Sequence, residues 1–168
     1  SAMLSLAPSS LPTAGPSGNA LIPHSNGRVA LLAGCAEPVL RPEFRAAAMR
    51  LLNRIGFDVI AAPGEVCCGA LVHHMGRDAA ALDAARHNVD AWSREIDGGG
   101  LTAILVTASG CGTTIKDYGY MLRDDPAYAA KAARVSALAK DISEFLATCN
   151  LPSGQVQGLT VAYHSACS

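Results

Sequence analysis

The sequence predicts an α/β domain with a mostly parallel, Rossmann-like sheet and helices on both faces. Three observations indicate this class: short apolar runs alternate with helical patterns, half of the 168 residues are hydrophobic, and only 5% are aromatic. A domain of this length buries roughly 68–70% of its unfolded surface, so a core can form without cross-links. The formal net charge of −1 excludes a nucleic-acid binder that depends on net charge.

The first part of the chain contains a linker and then alternates strand and helix. Residues 1–27 hold four prolines among Ser, Gly and Ala, which indicates a linker or a disordered N-terminal segment. The apolar run 29–34 predicts a buried strand. A helical pattern then begins at Pro42 and ends at Gly56. Residues 57–61 predict a second strand, which stops at a Pro-Gly turn.

The second part repeats this alternation. Apolar positions at steps of three and four predict a long helix from Asp78, and three glycines at 98–100 end it. Residues 103–107 predict a third strand. A further helix is predicted over 125–145, where Asp-Pro opens the pattern, and a last strand over 159–163.

Five of the six cysteines follow predicted strands: Cys35, Cys67, Cys68, Cys111 and Cys167. In parallel sheets, ligands bind beyond the carboxyl ends of the strands. Thiolates gathered there favour zinc or an iron–sulfur cluster. Two adjacent cysteines argue against a simple zinc knuckle, whose thiolates come in spaced pairs. We therefore predict a metal or cluster site, whereas Cys149 is interpreted as a small buried residue.

The spacing of these cysteines carries a resemblance to a known family. The segments are Cys35, then Cys67-Cys68-Gly69 after thirty-one residues, then Ser-Gly-Cys111-Gly, then Tyr-His-Ser-Ala-Cys167. The pattern resembles the cysteine-rich CCG domain that occurs in heterodisulfide reductase and in the iron–sulfur subunits of glycolate oxidase and related complexes. Over 67–76 and 108–119 it is most similar to the glycolate oxidase iron–sulfur subunit.

The resemblance implies one cysteine-rich repeat at 28–158 and the start of a truncated second repeat at 159–168. It implies that an iron–sulfur cluster is bound by Cys35, Cys67, Cys68 and Cys111. Cys167 would be the first metal ligand of the second repeat. Thr114 stands where the heterodisulfide reductase pattern has a further cysteine, so four thiolates remain, enough for a [4Fe–4S] cluster.

By the same resemblance, the chain is an electron-transfer module of a 2-hydroxy-acid oxidase complex and is not catalytic alone. Its partners would be a flavin-containing dehydrogenase subunit and a ferredoxin-like region of the same complex. As a fragment it is expected to fold and to be isolated without its cluster. The residues themselves leave two alternative functions open. One is a redox enzyme or sensor that uses Cys67 and Cys68, and the other is a structural zinc domain.

The expected cellular compartment follows from the small number of cysteines and from the lack of a recognisable signal sequence. Few cysteines and no basic segment before an apolar stretch indicate a cytoplasmic protein. The long uncharged runs are broken by polar residues and prolines, so no membrane span is expected. Peripheral association with a membrane is left open.

Other polar residues lie near the predicted edge. Three histidines are candidates to bind or tune a cluster, although exposed loop positions are the ordinary interpretation: His73, His74 and His164. Three residues after Cys111 are interpreted as a solvated helix face: Lys116, Asp117 and Tyr118. Ser109 lacks the surrounding pattern of a nucleophile elbow, so no catalytic role is expected of it.

Overall fold

A computed structural model describes residues 26–151, 154, 158 and 160–162. The strands are β1 (Arg28–Leu31), β2 (Asp58–Ile60), β3 (Ala103–Val106) and β4 (Ala139–Asp141). The helices are α1 (Glu37–Leu40), α2 (Pro42–Arg54), α3 (Ala70–His74), α4 (Asp78–Gly99), α5 (Ser109–Lys116), α6 (Tyr118–Met121), α7 (Ala129–Leu138) and α8 (Ile142–Leu146).

The four strands form one sheet in the order β2-β1-β3-β4, and every pair is parallel. The predicted α/β class is therefore confirmed. Val29 lies opposite Val59 on one side and Ala103 on the other, so β1 is a central strand. The strand order reverses between β1 and β3, as in doubly wound sheets, where this switch point is the usual place for a ligand.

Helices cover both faces of the sheet because successive side chains of a strand point to opposite sides. Val29 and Leu105 pack with α2 and α8 in one core cluster. Their neighbours Ala30 and Ile104 pack with α4, α5 and α7 in the other. All four side chains are fully buried. The apolar runs thus behave as strands of a sheet covered on both faces.

The long helix α4 packs against the loop that carries Cys67 and Cys68. Its buried positions include Ala85, Val89 and Trp92, as the spacing of apolar residues predicts. The helix ends at Gly99 and is capped by Gly100, whose φ of 77° is readily adopted only by glycine. Within the described part of the chain, no helix is long and apolar enough to cross a membrane.

The region after Asp125 differs from the sequence-based expectation. The predicted helix 125–145 is wrong, because it is interrupted by β4 between α7 and α8. The Asp141 side chain accepts a hydrogen bond from the Ser143 amide, and Glu144 accepts one from the Asp141 amide. This capping box begins a new helix, while the preceding residues pair with β3.

The predicted last strand is not found where it was expected. Residues 160–162 are not in a strand, and residues 159 and 163 lie outside the described residues. The sheet position beside β3 is filled by β4, with Ala139 opposite Ile104. The fourth strand therefore precedes the predicted one by about twenty residues along the chain.

Candidate metal centre

Two loops and the first turn of a helix at the carboxyl edge of the sheet carry the four candidate thiols. Cys35 follows β1, Cys67 and Cys68 precede α3, and Cys111 lies in the first turn of α5. Parallel neighbouring strands place their carboxyl ends at one edge, so these loops meet beside the switch point. The structure thus brings together the four cysteines of the expected first repeat, while Cys167 and His164 lie outside the described residues.

Cys35 and Cys67 form the more exposed half of the site. Their sulfur atoms are 3.2 Å apart, within hydrogen-bonding distance of each other. Cys35 is exposed and Cys67 is half-buried. The hydrogen bond with Cys67, followed by burial, raises the pKa of the Cys35 thiol. These two thiols are close enough to share a ligand or to exchange a proton.

Cys68 and Cys111 form the inner half. Cys68 is only 3% exposed, and its thiol hydrogen-bonds to the Cys111 sulfur. That hydrogen bond raises the pKa of Cys68 and lowers the pKa of Cys111, because it stabilises a thiolate on the acceptor. Cys67 therefore neighbours Cys35 in the loop after β1 as well as Cys68, and Cys68 also neighbours Cys111 on α5.

Gly69 makes the turn that follows the two cysteines. Its φ is 82°, a left-handed conformation that favours glycine. A side-chain carbon at this position would lie 3.3 Å from the Ala84 side chain on α4. The Cys-Cys-Gly sequence thus allows the loop to pass close to α4 before α3 begins.

A buried polar pair holds the backbone of this loop. The Asn88 amide nitrogen donates to the Cys67 carbonyl at 3.2 Å and to the Tyr118 hydroxyl at 3.0 Å. The Tyr118 hydroxyl in turn donates to the Cys68 carbonyl at 2.8 Å. The Val66 amide donates to Asn88 Oδ1 at 2.8 Å. Both side chains are fully buried, so these bonds are made away from water.

Glu65 links the Cys67 loop to the Cys35 loop. Its carboxylate accepts a hydrogen bond from the Ala33 amide at 2.9 Å and another from Trp92 Nε1 at 3.3 Å. Ala33 lies two residues before Cys35, and Trp92 is a buried residue of α4. The two cysteine loops are therefore tied to each other and to the core, independently of the thiols.

The remaining candidates lie elsewhere or have other partners. On α3, His73 Nδ1 is 3.5 Å from the Asp78 carboxylate at the start of α4, and the His74 ring lies beside that of His73. Lys116 pairs with Glu144 at 2.7 Å. The interpretation of Tyr118 as part of a solvated face is wrong, because Tyr118 is fully buried behind the thiols.

Sequence reasoning missed Asn88 and Glu65 and misjudged Tyr118. Asn88 had one available signal: it stands three residues after Ala85 and four before Trp92, on the inward stripe of α4. A buried amide among apolar positions needs hydrogen-bond partners, and here the cysteine loop supplies them. Glu65 and Tyr118 carry no such signal, because their partners come from distant parts of the chain.

The donor set fits a group that contains several metal atoms. Among the described residues, no three His, Cys, Asp or Glu side chains are arranged to hold a single metal ion. The four thiols instead form one row of neighbours, from Cys35 through Cys67 and Cys68 to Cys111. An iron–sulfur cluster takes thiolate ligands on separate irons, so the adjacent cysteines need not converge on one atom.

Comparison with known proteins identifies the domain that carries these thiols. The family model of the CCG cysteine-rich domain matches residues 29–116, which include all four edge cysteines. No solved structure matches the chain.

Curated relatives extend the similarity beyond the matched domain. The chain is 44% identical over 142 residues to the glycolate oxidase iron-sulfur subunit of Escherichia coli, covering 84% of this chain and 35% of that protein. It is 32% identical over 120 residues to the probable glycolate oxidase iron-sulfur subunit of Bacillus subtilis, covering 71% of this chain and 26% of that protein. Lactate utilization protein A of Bacillus licheniformis is 26% identical over 145 residues, covering 83% of this chain and 57% of that protein.

The chain thus spans about a third or less of the two glycolate oxidase subunits. The CCG match covers more than half of the chain and includes the strand ends that carry the thiols. The chain therefore belongs to the family of proteins with a CCG cysteine-rich domain.

Proposed function

We propose that this domain binds an iron–sulfur cluster through Cys35, Cys67, Cys68 and Cys111 and transfers electrons within a 2-hydroxy-acid oxidase complex. The observation that carries the proposal is the meeting of four thiols at the switch point of the sheet. One relative is the iron-sulfur subunit of glycolate oxidase, a second is a probable one, and a third is a lactate utilization protein. When bound, such a cluster accepts and releases one electron at a time.

The number of thiols supports a [4Fe–4S] cluster. Four cysteine ligands suffice for a cluster of four irons. Thr114, one turn after Cys111, is buried, and its hydroxyl donates to the Gly110 carbonyl at 3.0 Å, so it offers no fifth thiolate. We place the first repeat at 28–158 and assign Cys167, with 159–168, to the start of a second one.

The surroundings of the thiols support close approach of another subunit. Large exposed apolar side chains follow Cys35 and flank the Cys67–Cys68 pair: Val39, Leu40, Phe44, Val66, Leu71 and Met75. Exposed apolar side chains mark protein contact sites where they lie side by side. We propose that a flavin-containing dehydrogenase subunit of the same complex docks here, so that its electrons reach the cluster over a short distance.

Anaerobic reconstitution tests the proposal. The reduced chain is incubated with ferrous iron and sulfide, and bound iron, bound sulfide and visible absorbance are then measured. We expect about four irons and four sulfides per chain, as a [4Fe–4S] cluster requires. Cys35→Ser, Cys68→Ser and Cys111→Ser should each reduce this content. Cys149→Ser is the matched control, since Cys149 lies away from the edge and contacts the Phe145 carbonyl; it should bind iron like the unsubstituted chain.

The same experiment separates the alternatives. Uptake of zinc without iron or sulfide would favour a structural zinc domain and contradict the proposal. One observation favours a thiol redox site, namely the 3.2 Å separation of the Cys35 and Cys67 sulfurs. In that case oxidised glutathione would take two electrons from these thiols as they lose two protons and form a disulfide, and no iron would be retained. We also propose that the chain purified in air lacks its cluster, because exposed thiolates are readily oxidised.

A further inference from the structure

Among the described residues, Glu37 is the one at the carboxyl edge with an unexplained buried polar atom. It is the first residue of α1, two positions after Cys35. One carboxylate oxygen, Oε2, accepts a hydrogen bond from the hydroxyl of Thr107, which directly follows β3. The other oxygen, Oε1, is buried and has no hydrogen-bond partner within the described part of the chain.

The position of Glu37 connects it to the thiols. Together with Cys35, Cys111 and Thr107, it lines a cavity of about 70 Å³ at the carboxyl ends of β1 and β3. The hydrogen bond from Cys68 lowers the pKa of Cys111, but the negative charge of Glu37 acts in the opposite direction. The carboxylate is thus within electrostatic reach of the Cys111 sulfur.

A buried carboxylate oxygen without a partner destabilises the folded chain. In native proteins such a group is completed by an ordered water, an ion or a ligand. The Thr107 hydroxyl satisfies Oε2 and restrains the carboxylate between β1 and β3. Of the residues that the structure describes, no basic side chain lines this cavity. A metal atom beside the thiols would give Oε1 a partner, because iron accepts carboxylate oxygen as well as thiolate.

We propose that Glu37 is an oxygen ligand to the metal group that the four cysteines would hold. The inference rests on the proposed function and extends it, since it adds a donor that is not a cysteine. It explains why an otherwise unfavourable buried oxygen is present beside the thiols. It also predicts that stability of the metal-free chain and retention of iron respond to Glu37 in opposite directions.

Glu37→Gln is the direct test, because glutamine has nearly the same size and its carbonyl can still accept from Thr107. Glu43→Gln is the matched control: it removes the same charge from an exposed position near the start of α2, where Glu43 pairs with Arg41. Each full chain is reconstituted anaerobically. The electron paramagnetic resonance spectrum of the reduced form is recorded, followed by the rate of iron release to a chelator. Urea unfolding is measured on the metal-free chains.

We expect Glu37→Gln to leave the metal-free chain at least as stable as the unsubstituted one. Once reconstituted, it should give an altered resonance spectrum and release iron about tenfold faster, in the range seen when groups that support metal ligands are removed. Glu37→Asp retracts the carboxylate by one methylene. It should therefore also alter the resonance spectrum and speed the release of iron. This second variant keeps the test decisive if Glu37→Gln fails to fold.

The inference is overturned if both Glu37 variants match Glu43→Gln in spectrum and release rate while the unsubstituted chain holds iron and sulfide. That result would leave the proposed function intact. If the unsubstituted chain takes up no iron and sulfide, the proposed function fails, and the role of Glu37 fails with it.

Discussion

At the scale of single residues, the inner thiol pair has unequal acidity. The hydrogen bond that Cys68 donates to Cys111 lowers the pKa of Cys111 and raises that of Cys68. A lowered pKa means that the thiolate, which is the nucleophile, is present at lower pH. In the reduced, metal-free chain we therefore expect iodoacetamide to modify Cys111 at lower pH than Cys68, as measured by peptide mass spectrometry across a pH series. Modification of Cys68 first would contradict the hydrogen-bond direction.

Tyr118 gives a second prediction at this scale. Tyr118→Phe removes the donor to the Cys68 carbonyl and the acceptor for Asn88, both in a buried setting. The free energy of unfolding should fall by about 1–3 kcal/mol, the usual cost of unsatisfied buried groups, as measured by urea denaturation. Tyr120→Phe makes the same chemical change at an exposed position and should change stability little. Equal losses of unfolding free energy in the two variants would contradict the stabilising role of the Tyr118 hydroxyl.

The sequence alone predicts the place of some site residues but not of others. The meeting of Cys35, Cys67, Cys68 and Cys111 at one edge was predictable, because loops that follow parallel strands lie at the same edge of the sheet. Glu37 and Tyr118 were not, because their importance depends on the partners Thr107 and the Cys68 carbonyl, which the fold brings near. Spacing along the chain predicts which face a side chain lies on but not which distant group it meets.

At the scale of elements, one residue both ends β4 and caps α8. Asp141 is the last residue of β4 and the N-cap of α8, and its side chain accepts from the Ser143 amide at 2.8 Å. Asp141→Ala should lower the free energy of unfolding by about 1 kcal/mol, because the first turn of α8 loses this acceptor. Asp124→Ala, in an exposed turn before α7, is the control and should have a smaller effect in the same urea titration. A larger loss from the control would contradict the capping role.

The missed break in the predicted helix has a physical cause. A strand of three residues, such as β4, is too short for alternation to stand out from a helical pattern. Asp141 and Glu144 do carry a usable signal, since an acidic cap followed three residues later by glutamate marks a helix start. Longer elements such as α2 and α4 were predicted closely, because several turns repeat the same pattern.

At the scale of the whole molecule, most of the core consists of side chains other than the thiols. One cluster of buried side chains packs α2 and α8 on the sheet, and another packs α4, α5 and α7 on the opposite face. Both consist mainly of Ala, Val, Leu and Ile, together with Trp92, Tyr118 and two phenylalanines. Of the four edge cysteines, only Cys68 is buried within these clusters. Fold stability should therefore not require a metal.

A chain with all four edge cysteines replaced tests this expectation. We choose serine for Cys35, Cys67 and Cys111, which are exposed or half-buried, and alanine for Cys68, which is 3% exposed. The loss should come mostly from Cys68 and amount to about 1–2 kcal/mol, well below the roughly 5–15 kcal/mol stability of a typical domain.

The replaced chain should therefore unfold cooperatively in urea, with the far-ultraviolet circular dichroism of the unsubstituted chain. A gradual transition or a loss of helical signal would mean that the thiols hold the loops, and through them the sheet, together. The hydrogen bonds of Glu65, Asn88 and Tyr118 argue for the first outcome, because they fix the cysteine loops to α4 and to each other without any sulfur atom.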